Sequence, residues 1–350
     1  MMKECLLKKE NTVKDAIDIF DQQKVNSVFI VDDNQILLGI FTRGDLRQFI
    51  LSGGDIHEHI EVAMNKAPIT FRSAKEAAIY SQSQRRVTYP IVDKNKKLID
   101  VLHNTYDIFS TAVNSRCLKN TPVVIMAGGL GTRLYPLTRV LPKALVPIGE
   151  ETIMERIIKN FRSWGCNEFY FILNHKAKMI QAYFDELDKD YDVHYIMEEQ
   201  FLGTGGGLSL LKGMIKDTFI LTNCDILVNA DLECVMNRHR DEKDLITIIA
   251  AMKNLEIPYG VLDTDSTGKV VNFREKPEMS YLVNTGVYVI EPQIIDNLET
   301  NRFCHITEIA QEVLDHGDRV GVFPVTENSW LDMGQFDEFE KMRKALGING

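Results

Sequence analysis

Hydrophobic and polar positions follow two different rhythms along this chain, and the change of rhythm divides it. Near the N-terminus a helix-like stretch, Val13–Gln22, runs into an apolar strand, Ser27–Val31. A turn at Asp32, Asp33 and Asn34 leads to a second strand, Leu37–Thr42, and a helix follows from Asp45. The same order returns about 61 positions later. There the pattern predicts a helix over 74–84, the strand Tyr89–Val92, a turn over 93–96 and the strand Leu98–Leu102. A repeat of this length predicts a paired module.

From Thr121 onward, apolar strands are separated by helical patterns of about ten residues or more, which indicates βαβ units and a mostly parallel sheet. Residues 122–126 form a first buried strand, 153–164 an amphipathic helix and Glu168–Leu173 a second strand. Asp192–Met197, 219–222 and 245–252 read as further strands. The polar segment 114–121, ending before Pro122, is the expected boundary. The expected domains are therefore 1–118 and 121–350.

Composition narrows the function classes. At 350 residues with 45% hydrophobic positions, the chain can bury two cores. A net charge of -10 and the lack of any long Lys/Arg run exclude a nucleic-acid partner, yet leave room for a local pocket that takes a small anion. The six cysteines are scattered without paired spacing, as expected for reduced thiols in the cytoplasm rather than for a disulfide framework or a structural metal. No apolar signal core opens the chain, and no stretch approaches the ~20 apolar residues of a membrane span, so no membrane partner is expected.

The paired module resembles a tandem CBS domain, a family that commonly binds adenine nucleotides between its two copies. In Gly39-Ile40-Phe41-Thr42-Arg43-Gly44-Asp45, the resemblance makes Thr42 and Asp45 candidates for gripping ribose hydroxyls. The second copy departs from this pattern in Val101-Leu102-His103-Asn104-Thr105-Tyr106-Asp107, with Asn in place of Thr. Two roles stay open, nucleotide sensing and dimerisation alone. CBS pairs usually associate, so a homodimer is expected.

The densest chemical signal follows the first strand of the second half: Met126-Ala127-Gly128-Gly129-Leu130-Gly131-Thr132-Arg133-Leu134. Three glycines in four positions after a buried strand permit close backbone approach and positive φ, so several N–H groups can converge on phosphate oxygens. This is neither a Walker A loop nor a full G-x-G-x-x-G fingerprint. Arg133 stands just beyond the loop, and Lys143 follows in Leu141-Pro142-Lys143-Ala144-Leu145-Val146-Pro147, two cations near enough in sequence to serve one triphosphate.

Together with Pro136-Leu137-Thr138, these strings resemble the G-G-x-G-[ST]-R-L-x-P-L-T and P-K motifs of the nucleoside-diphosphate-sugar pyrophosphorylases, that is, the sugar-1-phosphate nucleotidyltransferases. The resemblance implies an α/β fold with a Rossmann-like, mixed but mostly parallel sheet of GT-A-like type behind the α/β CBS pair. It assigns nucleotide binding to Ala127, Gly128, Gly129, Gly131, Thr132, Arg133 and Lys143, with Arg133 on the β and γ phosphates. It also implies a divalent cation, Mg2+, held by Asp225 and Asp332. Asp225 follows the strand 219–222, where ligands of α/β sheets gather, and Asp332 lies in Trp330-Leu331-Asp332-Met333-Gly334. The sugar phosphate side falls by the same resemblance on Gly260, Glu275, Lys276 and Asn284, and the catalytic set becomes Arg133, Lys143, Asp225, Lys276 and Asp332.

A sugar 1-phosphate is mostly dianionic at neutral pH, because its second pKa is about 6, so its oxygen can attack the α-phosphorus without a general base. Nucleotide choice turns on one position. In the family, the residue five before the Gly-Thr of the L-G-T-G loop faces the base, and Gly203-Thr204 puts Glu198 there. An ionised carboxylate only accepts hydrogen bonds, which suits the adjacent N1–H and N2–H2 donors of guanine and repels pyrimidine carbonyls. GTP is the expected nucleotide, with Glu198 pointing to solvent as the alternative. A CBS pair ahead of a guanylyltransferase-like domain resembles the bacterial glucosamine-1-phosphate guanylyltransferases of legionaminic acid synthesis, while mannose 1-phosphate or another hexose 1-phosphate stays open. About twenty residues follow Trp330, too few for the hexapeptide β-helix of the bifunctional acetylglucosamine enzymes, so acetyl transfer is not expected.

Overall fold

The structure, a computed structural model, describes residues 5–23, 25–81, 88–102 and 117–348. It divides into two compact units: Met1–Ile108 with Met252–Tyr281, and Phe109–Ala251 with Leu282–Gly350.

In the first unit the helix Val13–Gln22 opens on a capping box, Thr12 receiving the amide of Asp15 and Asp15 receiving that of Thr12. Reciprocal capping satisfies two of the amides that a helix start leaves unpaired. The helix buries Val13, Ala16, Ile17 and Phe20, an i, i+3, i+4, i+7 stripe, against a sheet of Leu6–Leu7, Ser27–Val31 and Leu37–Thr42. Ser27–Val31 is fully buried and pairs antiparallel with Leu37–Thr42.

The second copy repeats the helix Ala74–Ser81 and the antiparallel pair Tyr89–Val92 and Leu98–Leu102. The two copies join edge to edge, the Leu37 amide donating to the Lys96 carbonyl at 3.0 Å and the Leu98 amide to the Gln35 carbonyl at 2.9 Å. Val92 and Leu98 of the second copy share the core of the first. Of the second copy's ribose-like string, 103–107 lies outside the described residues, as does the 114–116 part of the expected boundary over 114–121.

The second unit is built on seven strands in the order Asp192–Met197, Glu168–Leu173, Val123–Met126, Phe219–Asn223, Glu278–Ile290, Ile246–Glu256, Val320–Thr326. The first four run parallel, and Glu278–Ile290 pairs antiparallel with Phe219–Asn223. The sheet is therefore mixed and mostly parallel.

Strand alternation sends side chains to two different cores. Val123, Ile125, Phe169, Phe171 and Leu173 pack with the helix residues Ile153, Met154, Ile157, Ile158 and Phe161. Val124, Met126, Tyr170, Ile172 and Leu221 pack on the other face with Ile306, Ile309, Ala310 and Val313. Strands buried on both faces explain the unbroken apolar runs of the sequence. Chain order reverses between Val123–Met126 and Phe219–Asn223, which creates a crevice beyond their carboxyl ends.

Candidate active site

Both strands at that reversal deliver chemistry to the same end. Met126 and Asn223 are register partners, and the Cys224 amide donates to the Met126 carbonyl at 3.2 Å, so the glycine loop and Asp225 leave the sheet side by side. Ala127 is still part of the sheet, its side chain in the core and its amide donating to the Ile172 carbonyl at 2.9 Å. That amide is engaged in the sheet, so the amides that stay open to a phosphate begin beyond Ala127.

Beyond it, a Cβ on Gly129 would meet nothing within 4 Å, leaving the backbone open to close approach. Gly131 takes φ +65°, and a Cβ there would lie 3.1 Å from the Thr138 methyl and 3.2 Å from the Lys143 Cβ. Thr138 closes this contact by donating its hydroxyl to the Gly131 carbonyl at 2.7 Å. Lys176 in turn donates to the carbonyls of Thr138 and Arg139, both at 2.8 Å. The Pro-Leu-Thr string thus buttresses the glycine loop, and Lys176 is a support that sequence reasoning missed. Thr132 and Arg133 are exposed beside the loop.

Lys143 and Asp225 form an ion pair, both side chains largely buried. Asp332 reaches them through backbone pairing: Ile226–Val228 runs antiparallel to Trp330–Asp332 with Ile226 opposite Asp332, and the Met333 amide donates to the Asp225 carbonyl at 2.9 Å. Burial, and then the charge of Asp225, push the Asp332 carboxyl up to about 6, against the pull of Lys143 and Arg133. Its Oδ1 is buried without a hydrogen-bond partner. A buried carboxylate oxygen without a donor, next to a second carboxylate, fits a hard divalent cation that keeps water or phosphate oxygens as its remaining ligands. Among the described residues no group of three or more His, Cys, Asp or Glu side chains could hold an ion.

Glu198 is buried, with only 4% of its surface exposed, which excludes the solvent-facing alternative. A Cβ on Gly128 would lie 2.8 Å from its Oε2 and one on Gly207 2.6 Å from its Oε1, so its carboxyl fills the space that both glycines leave open. Oε1 accepts from the Leu202 amide at 3.4 Å, and Oε2 is buried without a partner. Burial pushes this carboxyl up to about 7. Asn174 fixes the Glu198 backbone by donating to its carbonyl at 2.9 Å.

Gly203 has φ +82°, and a Cβ on it would fall 2.4 Å from the Cys304 carbonyl oxygen. Thr204 accepts from the Ile306 amide at 3.2 Å, with His305 Nδ1 3.4 Å away. Asn174 and His305 gave no local signal, because their partners Glu198 and Thr204 lie 24 and 101 positions away.

Asn284 donates to the Tyr288 hydroxyl at 2.6 Å and accepts from the Gly286 amide at 2.9 Å. Gly260, Glu275 and Lys276 belong to the first unit, where a Cβ on Gly260 would lie 3.1 Å from Glu275 Oε2 and Lys276 takes φ +43°. In the CBS-like module, Thr42 and Asp45 form the capping box of the helix Arg43–Leu51, and the Thr42 hydroxyl donates to Asp45 at 2.7 Å.

A nucleotidyl transferase model matches residues 122–347. The chain belongs to the nucleotidyl transferase family. A CBS domain model matches residues 1–52 ahead of it. Family relatives include the UTP–glucose-1-phosphate uridylyltransferase of Synechocystis, 28% identical over 62% of this chain and 61% of that protein. The mannose-1-phosphate guanylyltransferase of Mycobacterium tuberculosis is 30% identical over 62% of each chain. The bifunctional protein GlmU of Methanococcus aeolicus is 31% identical over 61% of this chain and 51% of that one. The chain thus spans between half and two thirds of these relatives' length. Among solved structures, HddC from Yersinia pseudotuberculosis shares the fold with TM-score 0.51 and 24% identity, covering 65% of this chain and 99% of that one. No helix among the described residues is long and apolar enough to cross a membrane.

Proposed function

We propose that this chain is a cytoplasmic guanylyltransferase that moves GMP from GTP to a hexose 1-phosphate, with glucosamine 1-phosphate the favoured acceptor, as in legionaminic acid synthesis. The observation that carries the reading is the convergence of Lys143, Asp225 and Asp332 beside the glycine loop at the sheet's reversal point. The Mycobacterium relative's use of a guanine nucleotide supports the nucleotide, and the Synechocystis relative makes UTP the competing one.

In this reading the triphosphate lies along Gly128, Gly129 and Gly131, with Arg133 over the β and γ phosphates. An oxygen of the sugar 1-phosphate attacks the α-phosphorus, the bond to the bridging oxygen breaks, and pyrophosphate leaves. Lys143 and Arg133 neutralise charge building on the α-phosphate and the leaving group, while Lys276 holds the incoming phosphate. Asp225 and Asp332 would hold Mg2+, which supplies further positive charge to the same oxygens. Glu198 accepts from the guanine N1–H and N2–H2. Glu275, Gly260 and Asn284 orient the sugar hydroxyls.

The domains 1–118 and 121–350 then divide regulation from catalysis, with an adenine nucleotide near Thr42 and Asp45 and a homodimer through the CBS pair. Pyrophosphate release from each nucleoside triphosphate with a panel of sugar 1-phosphates tests the reading. GTP with glucosamine 1-phosphate should be fastest, a faster UTP reaction would defeat the guanine assignment, and mannose 1-phosphate as the best acceptor would defeat the sugar. Silence with every pair would leave a nucleotide-sensing protein. Calorimetry with AMP and ATP tests the front module.

A further inference from the structure

The segment Met252–Tyr281 carries Gly260, Glu275 and Lys276, yet it packs in one compact unit with the CBS-like module. Its middle is a two-stranded ribbon, Val261–Thr264 against Val270–Arg274, and the second strand is exposed along its whole length. A lone ribbon of this kind is marginally stable and cannot hold a loop in place by itself. Its position must be set at its root.

The root continues the paired strands Ile246–Glu256 and Glu278–Ile290, and two further contacts tie it to the CBS-like module. Met252 is buried in the core of the first CBS-like copy. On the returning strand, both carboxylate oxygens of Glu278 bond to the Lys14 ammonium, and His57 Nε2 stands 3.7 Å from Oε2. The socket is prebuilt, because Lys14 and His57 come from segments joined by their backbones. The Lys14 amide donates to the Ile56 carbonyl at 2.8 Å, and the Val13 amide to the Glu58 carbonyl at 3.0 Å. The Lys14 and Glu278 side chains are only 31% and 22% exposed, so the pair is partly shielded from water. Between Glu278 and Lys276 stands only Pro277, whose ring fixes φ and whose carbonyl accepts from the Ile257 amide at 3.0 Å.

We propose that Lys14, with His57, is a positioning residue for the sugar-phosphate side of the reaction: it clamps Glu278 and thereby places Lys276 and Glu275. This rests on the reading above that Lys276 meets the sugar phosphate. The front module then sets acceptor affinity through this clamp, and nucleotide affinity is independent of it.

Steady-state kinetics on the full chain test the clamp, varying glucosamine 1-phosphate and GTP in turn. Lys14→Gln and Glu278→Gln should each raise KM for the sugar phosphate about 3- to 10-fold, the worth of a half-shielded ion pair, and leave KM for GTP unchanged. Lys14→Arg should keep the wild-type value. Hydrogen exchange over 259–276 should quicken in Lys14→Gln. Equal rises in both KM values, or unchanged sugar KM and unchanged exchange in Lys14→Gln, would overturn the clamp. Lys276→Ala separates the two ideas: if it leaves sugar KM unaltered, the sugar-site reading fails, and exchange over 259–276 alone then judges the clamp.

Discussion

Replacing Glu198 by glutamine changes charge at almost constant volume, in a place where the structure makes charge expensive. The carboxyl lies between Gly128 and Gly207 with one oxygen unpaired. Burial raises it from 4.5 to about 7, so the folded chain holds this proton more tightly than the unfolded one. Its contribution to stability is therefore complete below about pH 4.5 and is lost as pH rises through about 7. The gap between those values corresponds to at most ~3 kcal/mol.

Glutamine does not titrate, so Glu198→Gln should match wild type near pH 5 and exceed its Tm at pH 8.5 by up to about 4 °C for a chain of 350 residues. Scanning calorimetry at the two pH values measures this, and a Tm difference independent of pH would refute the argument that burial sets the proton affinity. Guanine adds a second consequence. Its donors pair with the ionised form, so KM for GTP should climb as pH falls below about 7. In Glu198→Gln the ratio of kcat/KM for GTP over UTP should drop about 10- to 100-fold, the worth of one mispaired buried group. An unchanged ratio would remove Glu198 from base selection without touching the stability result.

Asp225→Asn should lower kcat by about 100-fold or more, as expected for losing a metal-holding and charge-organising group, with an unaltered circular dichroism spectrum. A near wild-type rate would take Asp225 out of the site. Gly203→Ala should cost about 2–4 kcal/mol in a urea titration, because it combines an unfavourable φ with overpacking against the Cys304 carbonyl. Thr42→Ala should lower the melting midpoint through loss of about 1 kcal/mol of capping, with or without adenine nucleotide present. If its only effect is on nucleotide binding, the cap is not what Thr42 contributes.

Much of the site was legible because it is local. The strand, the glycine loop and the Arg133, Thr138 and Lys143 positions lie within about twenty residues, and a backbone turn that needs small residues leaves its mark in adjacent letters. The two sheet faces were legible as well, since parallel strands buried on both sides read as unbroken apolar runs. The pairing of the Ala127 amide was not legible, for a related reason. A motif names a loop but does not say which residue is the last to pair with the neighbouring strand, here Ile172.

Sequence alone determined the order of elements, the repeat in front and the family of chemistry, because periodicity and short motifs are properties of neighbouring residues. Only the tertiary structure decided which distant groups meet. The Asp225–Asp332 pairing through two short strands, the Thr204 contact with 305–306, and the Lys14–Glu278 clamp all join residues about a hundred positions apart or more, and no local pattern announces such a meeting. The same holds for the proton affinities of Glu198 and Asp332. Desolvation depends on everything packed around a carboxyl, and that surrounding comes from the whole fold.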